Sequence, residues 1–217
     1  MPWLNPVLAH YIIRKFAQNA STIVDMGVGP GYLVMELAKL TSARIVGLDY
    51  NVNMLQVAQE TLLEHGINTI QVDLQLENVH NLSLADHSVD CVVSYSCFHH
   101  WSDPVQGLKE CMRILKEGGV LVLLDLIPLE EHVLADLQET ITDQAVYAII
   151  KKAVLESYSL EQVEQIVQRA GISSYSIGNA IFPQEDLMAH IDLLFEENLF
   201  KNHTGNEVLS WQLIVNK

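Results

Sequence analysis

The spacing of apolar positions changes repeatedly along the chain, from a repeat near four to short continuous runs and back. Leu8, Ile12 and Phe16 are spaced by four, which predicts an amphipathic helix over Pro6 to Asn19. An apolar run follows at 22–27, read as a first strand, and then a helical pattern at 31–40. "ARIVGLD", 43–49, predicts a second strand, and 52–65 a helix closed by His65-Gly66, a suitable C-cap. "NTIQVDLQL", 68–76, predicts a third strand and "DCVVSYS", 90–96, a fourth. The fourth is almost wholly apolar at its start, as buried parallel strands are. Asp103 as N-cap and Pro104 in the first turn open a helix over 103–116. "GVLVLLDL", 119–126, predicts a fifth buried strand. Residues 129–156 read as helical, without a strand signal. Ser159 and Gln162 have capping-box spacing at the start of a helix over 159–170. Two late strands, near 174–182 and 207–216, flank a helix at 184–198.

Five strands joined by helical crossovers specify an α/β fold with a doubly wound, mainly parallel sheet. There is no internal repeat and no low-complexity linker, so 1–217 is expected to form one domain. Ligands of such sheets bind beyond the C-terminal strand ends, at the switch point. The loop after the first strand lies there. It reads "VDMGVGPG", with Gly27, Gly29 and Gly31 in GxGxG spacing.

That loop lacks the Lys and Ser/Thr of a P-loop, and Tyr32 stands where a dinucleotide fingerprint would place its third glycine. It still turns backbone N–H groups toward a helix N-terminus, where an anion is favoured. Asp25, at the strand tip, would repel a pyrophosphate but attract an ammonium. A ligand with both an amino group and a carboxylate satisfies both features, although a glycine turn without a ligand is also consistent. Asp49 ends the second strand 22 positions beyond Gly27. An acid there suits ribose hydroxyls, and equally suits a helix N-cap. Tyr50 could lie against a base.

Charge and cysteines narrow the partners. The chain has 27 acidic against 12 basic residues, net −15, and no basic run longer than a pair such as Lys151-Lys152, which argues against nucleic acid. Cys91, Cys97 and Cys111 form no CxxC pair, so neither a disulfide framework nor a metal site is expected, and a reducing cytoplasm fits. The N-terminus lacks the pattern of a signal peptide. No apolar run approaches the roughly 18 residues of a membrane span.

A ribose at Asp49 and an amino-acid end at Gly27–Gly31 describe S-adenosylmethionine, and here the chain resembles a family. "VDMGVGPG", "GLDYN", "NLSLADHSVDCVVSYSCFHHWSDP" and "ECMRILKEGG" are similar to the motifs of class I S-adenosylmethionine-dependent methyltransferases of the small UbiE-like, or methyltransferase 11, type. The resemblance is close over roughly 20–125 and looser over 159–217. It implies a Rossmann-like sheet of seven strands with a C-terminal antiparallel strand. It implies that Gly27, Gly29 and Gly31 wrap the methionine part, that Asp25 meets its amino group, and that Asp49 holds the ribose under Tyr50. Asn78 and Val79 stand where the family has Asp-Ala after the third strand, Asn78 meeting adenine through its amide oxygen. Ser94 and Tyr95 would border the reaction centre.

Methyl transfer from a sulfonium needs alignment and exclusion of water. A base is needed only if the acceptor arrives protonated, and His99 and His100 are the candidates by position. Structural roles for both are the competing expectation, and His10 is a lesser candidate. Residues 1–19 and 127–157 are expected to cover the site of a small-molecule acceptor, with Trp3, Tyr11, Leu129, Leu134, Tyr147 and Ile150 as its apolar set. Tyr147 and Lys151 share the Tyr-x-x-x-Lys spacing of short-chain dehydrogenases. The first loop lacks the TGxxxGxG pattern of those enzymes, and Leu134 stands where they place a Ser. The pair is therefore read as one face of a covering helix. Two alternatives remain: a nicotinamide-dependent oxidoreductase and a non-catalytic S-adenosylmethionine-binding protein. A monomer or a homodimer is expected.

Overall fold

The structure, a computed structural model, describes residues 4–67, 70–180 and 210–217. Its first half alternates strand and helix: β1 Thr22–Met26, β2 Arg44–Asp49, β3 Val72–Leu76 and β4 Val89–Tyr95 are interleaved with α2 Tyr32–Leu40 and α3 Val52–Glu64. Helix α1, Leu4–Ile12, precedes β1 and continues into a π-helical turn at Ile13–Ala17. A 3-10 turn at Phe98–His100 leads from β4 to α4 Pro104–Ile114, followed by β5 Leu115–Leu126. Helices α5 Glu131–Thr140, α6 Gln144–Glu156 and α7 Leu160–Arg169 precede β6 Tyr175–Asn179 and β7 Ser210–Asn216.

The seven strands form one sheet in the order β3-β2-β1-β4-β5-β7-β6. The pairs among β1 to β5 are parallel, and β7 runs antiparallel to both β5 and β6. This is the Rossmann-like sheet with a C-terminal antiparallel strand that the sequence leads one to expect. Successive residues of the central strands point to opposite faces. Ile23 and Cys91 enter one apolar cluster, with α1, α2 and α3, while Val24 and Val92 enter another, with α4 and α7. Both faces being covered is why β1, β4 and β5 read as near-continuous apolar runs.

Several boundaries differ from the sequence expectation. The third strand begins at Val72, because the Gln71 amide donates to the carbonyls of Thr41 and Ala43 and fixes a turn before it. The helical stretch 129–156 holds two helices, α5 and α6. The break falls at 141–143, where Asp143 caps α6 by accepting from the N–H groups of Ala145 (2.8 Å) and Val146 (3.3 Å). The capping box of Ser159 and Gln162 is present in both halves. The expected helix at 184–198 lies outside the described residues, as does Trp3.

Candidate cofactor site at the strand tips

The strand order reverses direction between β1 and β4, and the chain opens there. Leaving β1, the N–H groups of Gly27 and Val28 both donate to the Leu48 carbonyl at 2.8 Å, which binds the glycine loop to the end of β2. Gly27 has φ +82°, and a Cβ on it would fall 2.0 Å from Cys97 Sγ. Gly31 has φ +85°, and its missing Cβ admits Ala58 of α3 at 3.0 Å. Gly31 also caps α2 with no side-chain acceptor, so the first N–H groups of that helix are not taken by a cap.

Asp49 is not the N-cap of α3; that is Asn51, which accepts from the Asn53 N–H at 3.0 Å. The Asp49 carboxylate accepts from Gly29 N–H (3.0 Å) and Asn51 N–H (2.9 Å), so it organises the glycine loop. Asp25 lies beneath the same loop, 2% exposed, and its Oδ1 has no hydrogen-bond partner among the described residues. Burial, and then the charge of Asp49, push its carboxyl up to about 7.

A cavity of about 290 Å³ adjoins these groups. Gly27, Asp49, Tyr50, Asn78 and Val79 line it, five of the ten residues the sequence nominated for the cofactor. Tyr50 is 75% exposed, so its ring stands free at the rim. Asn78 accepts the His80 N–H through its amide oxygen, and His80 Nε2 accepts from Asp103 N–H, which ties this wall to α4. Ser94 does not line the cavity: it is buried and its hydroxyl donates to the Met26 carbonyl at 2.7 Å, stapling β4 to β1. Tyr95 does not line the cavity either. Its phenol is held above its usual range by burial and by Asp125.

After Tyr95 the chain turns through Ser96, whose φ of +53° is unusual for a non-glycine residue. The turn delivers Cys97, His100 and Trp101 to the cavity wall. Burial pushes the Cys97 thiol up to about 12, so it stays protonated at the wall. Trp101 packs on Phe98 and leaves room only for a glycine at Gly107 on α4. His99 turns inward instead. Its Nδ1 lies 2.8 and 3.0 Å from the two carboxylate oxygens of Asp125, and its backbone N–H donates to the same group at 2.8 Å. Its ring is 3.9 Å from that of His100, centroid to centroid, and His100 lies 3.6 Å from Glu156 of α6. The sequence named both histidines and missed Asp125, Cys97 and Trp101. A lone acid inside "LVLLDL" was the available signal for Asp125.

Tyr147 and Lys151 stay within the α5–α6 pair. The Tyr147 hydroxyl donates to the Leu134 carbonyl (3.3 Å), and the Lys151 ammonium sits 5.9 Å from the Tyr147 ring. That arrangement suits a helix face and leaves no dehydrogenase pair free for a nicotinamide.

A doubly wound sheet with a glycine loop, two acids at the tips of β1 and β2, and a cavity between them defines a class I nucleoside-binding architecture. Residues 24–123 match the family described as "Methyltransferase domain", and over that segment the chain is similar to class I S-adenosylmethionine-dependent methyltransferases. It is 31% identical over 121 residues to a ubiquinone biosynthesis O-methyltransferase of Xanthomonas campestris, covering 55% of this chain and 49% of that one. It is 34% identical over 109 residues to an uncharacterized 37.1 kDa protein in transposon TN4556 of Streptomyces fradiae, covering 49% and 30%. These matches thus span less than half the length of either relative. Among solved structures, a putative S-adenosylmethionine-dependent methyltransferase of Methanococcus maripaludis superposes with TM-score 0.70 at 25% identity, covering 99% of this chain and 85% of that one. The plantazolicin methyltransferase BamL, solved with a desmethylPZN analogue and SAH, shares the fold, with TM-score 0.72 at 16% identity over 99% of this chain and 84% of that one.

Proposed function

We propose that the protein transfers the methyl group of S-adenosylmethionine to a small-molecule acceptor. The observation that carries this is the buried carboxylate of Asp25, with one oxygen that has no partner among the described residues, beneath the glycine loop. A buried acceptor of that kind is costly unless a donor arrives, and an ammonium group supplies both charge and protons. The loop itself fits the amino-acid end of the ligand, with Gly27, Gly29 and Gly31 approaching closely and the α2 N-terminus facing a carboxylate. Asp49 keeps lone pairs for ribose hydroxyls while it holds the loop, and Tyr50, Asn78 and Val79 bound the space for adenine. Ser94 acts at one remove, by fixing the β1 tip, and Tyr95 borders the acceptor side.

S-adenosylmethionine, when bound, supplies a methyl group on positively charged sulfur. The chain's part is then to align the acceptor in line with it and keep water out. Helix α1 buries Val7, Leu8, Tyr11 and Ile12 in the core, so it serves as a fixed wall. Helix α6 buries only Tyr147 and Val154 and rests on the 3-10 turn, so it serves as the movable cover. Residues 1–217 act as one domain. No described helix is long and apolar enough to cross a membrane, and an acidic chain acting on a small molecule in the cytoplasm is the setting we infer. Titration with S-adenosylmethionine, its demethylated product and NAD tests the reading. Binding of the first two without NAD is expected, and NAD binding alone would replace it with the oxidoreductase alternative. A chain that binds but never forms S-adenosylhomocysteine across a panel of hydroxyl, amine and thiol acceptors would be a binding protein.

A further inference from the structure

The tips of β4 and β5 carry a second group of titratable side chains that the cofactor loop does not use: Tyr95, His99, His100 and Asp125, with Glu156 of α6 beside them. Within it, His99 and Asp125 are fully enclosed, each side chain 1% exposed. The Asp125 carboxylate accepts three N–H groups: His99 Nδ1, the His99 backbone and the Leu126 backbone at 2.7 Å. A carboxylate can only accept, so the proton of the neutral imidazole is held on Nδ1. The lone pair is then on Nε2. That atom is buried and has no hydrogen-bond partner among the described residues. Leaving a buried polar atom unpaired is costly, and such an atom in a native fold calls for an explanation.

We propose that Asp125 is a positioning residue that holds His99 as its Nδ1–H tautomer, so that Nε2 takes the proton of a hydroxyl-bearing methyl acceptor. The inference rests on the methyl-transfer reading above and names the substrate class. As the acceptor oxygen forms its bond to the methyl carbon, the carbon–sulfur bond of the sulfonium donor breaks and its electron pair stays on sulfur. The acceptor's O–H bond breaks, its pair remains on oxygen, and the proton moves to Nε2. His100 stands against His99 and is half-exposed, so it lies on the way by which that proton returns to solvent. Its imidazole is held below its usual range by burial and by His99, so it rests neutral and able to accept. The same α6 that we read as the cover of the acceptor side packs on the turn carrying His99.

Nitrogen-15 spectra of the histidines in the full chain, with His99 assigned through His99→Gln, test this without turnover. Near neutral pH the wild type should show a protonated Nδ1 and a pyridine-type Nε2. Addition of phenol as a hydroxyl probe, with S-adenosylhomocysteine present, should shift Nε2, and toluene should not. Asp125→Asn, whose amide can donate to Nδ1, should move the proton to Nε2 and abolish the phenol response, while Asp125→Glu should keep the wild-type tautomer. A protonated Nε2 in the wild type, an imidazolium up to pH 9, or an Nε2 unmoved by phenol would overturn the proposal, even if both Asp125 variants fail to fold. Calorimetry with S-adenosylhomocysteine on the same samples separates the two readings. Absence of that binding in the wild type counts against methyl transfer, whereas a wrong tautomer with the ligand bound counts against this inference alone.

Discussion

Asp25 is a carboxylic acid buried beneath the glycine loop, and its protonation sets two measurable properties. Its folded pKa is raised from 3.8 to about 7, so the folded state keeps a proton that the unfolded chain would release. This contribution to stability is complete below about pH 4 and is lost as pH rises through 7. Asp25→Asn, which stays neutral, should therefore melt higher than wild type at pH 8 and nearly level with it at pH 4, as read by thermal denaturation. Cofactor affinity should move the opposite way: the wild type gains affinity as pH rises through 7 and the variant does not. Asp49 carries the loop as well as the ribose contact. Asp49→Ala should weaken S-adenosylmethionine binding by about 2–3 kcal/mol, roughly 30- to 150-fold, with the fold retained by circular dichroism. Affinity within about twofold of wild type would reduce Asp49 to a loop support. Gly27→Ala meets Cys97 Sγ in a left-handed conformation, and should lower stability by about 1–3 kcal/mol. Cys97→Ala should recover part of that loss.

The elements differ in how firmly they are held. Helices α1 to α4 and α7 bury an apolar face on the sheet, whereas α5 and α6 pack mainly on each other and on the turn of His99. The start of α6 depends on Asp143, so Asp143→Ala should cost about 0.5–2 kcal/mol, localised to α6. Hydrogen exchange should show faster exchange there with the β-sheet unchanged. In the wild type, acceptor plus cofactor should protect α6 more than α1. Equal protection of both would make α1 part of the moving cover. The strands and most helix starts were legible in the sequence because period and cap agreed at each. Asp103-Pro104 and Ser159-x-x-Gln162 are examples. The break before α6 is marked in the sequence only by Thr142-Asp143, a cap signal inside an otherwise helical stretch. Half of the nominated cofactor residues reach the cavity because the glycine loop and the Asp49 position are local features. The bond of Ser94 to Met26 was not legible because it joins strands distant in sequence. Asp125 was absorbed into an apolar strand, and its partner His99 is a neighbour only in space.

At the scale of the molecule, every part of the account meets at the switch point between β1 and β4. The parallel order brings the glycine loop, with Asp25 beneath it, and Asp49 to one rim, and the turn after β4 brings Cys97, His100 and Trp101 to the other. The central claim is that this rim binds an amino-acid-bearing nucleoside and not a dinucleotide. Isothermal titration of the full chain at pH 8 tests it most directly, with S-adenosylmethionine, S-adenosylhomocysteine and NAD run in parallel on wild type and Asp25→Asn. Saturable binding of the first two, weakened in Asp25→Asn, and no heat with NAD is the predicted result. Saturable NAD binding without a signal from S-adenosylmethionine or S-adenosylhomocysteine would contradict it.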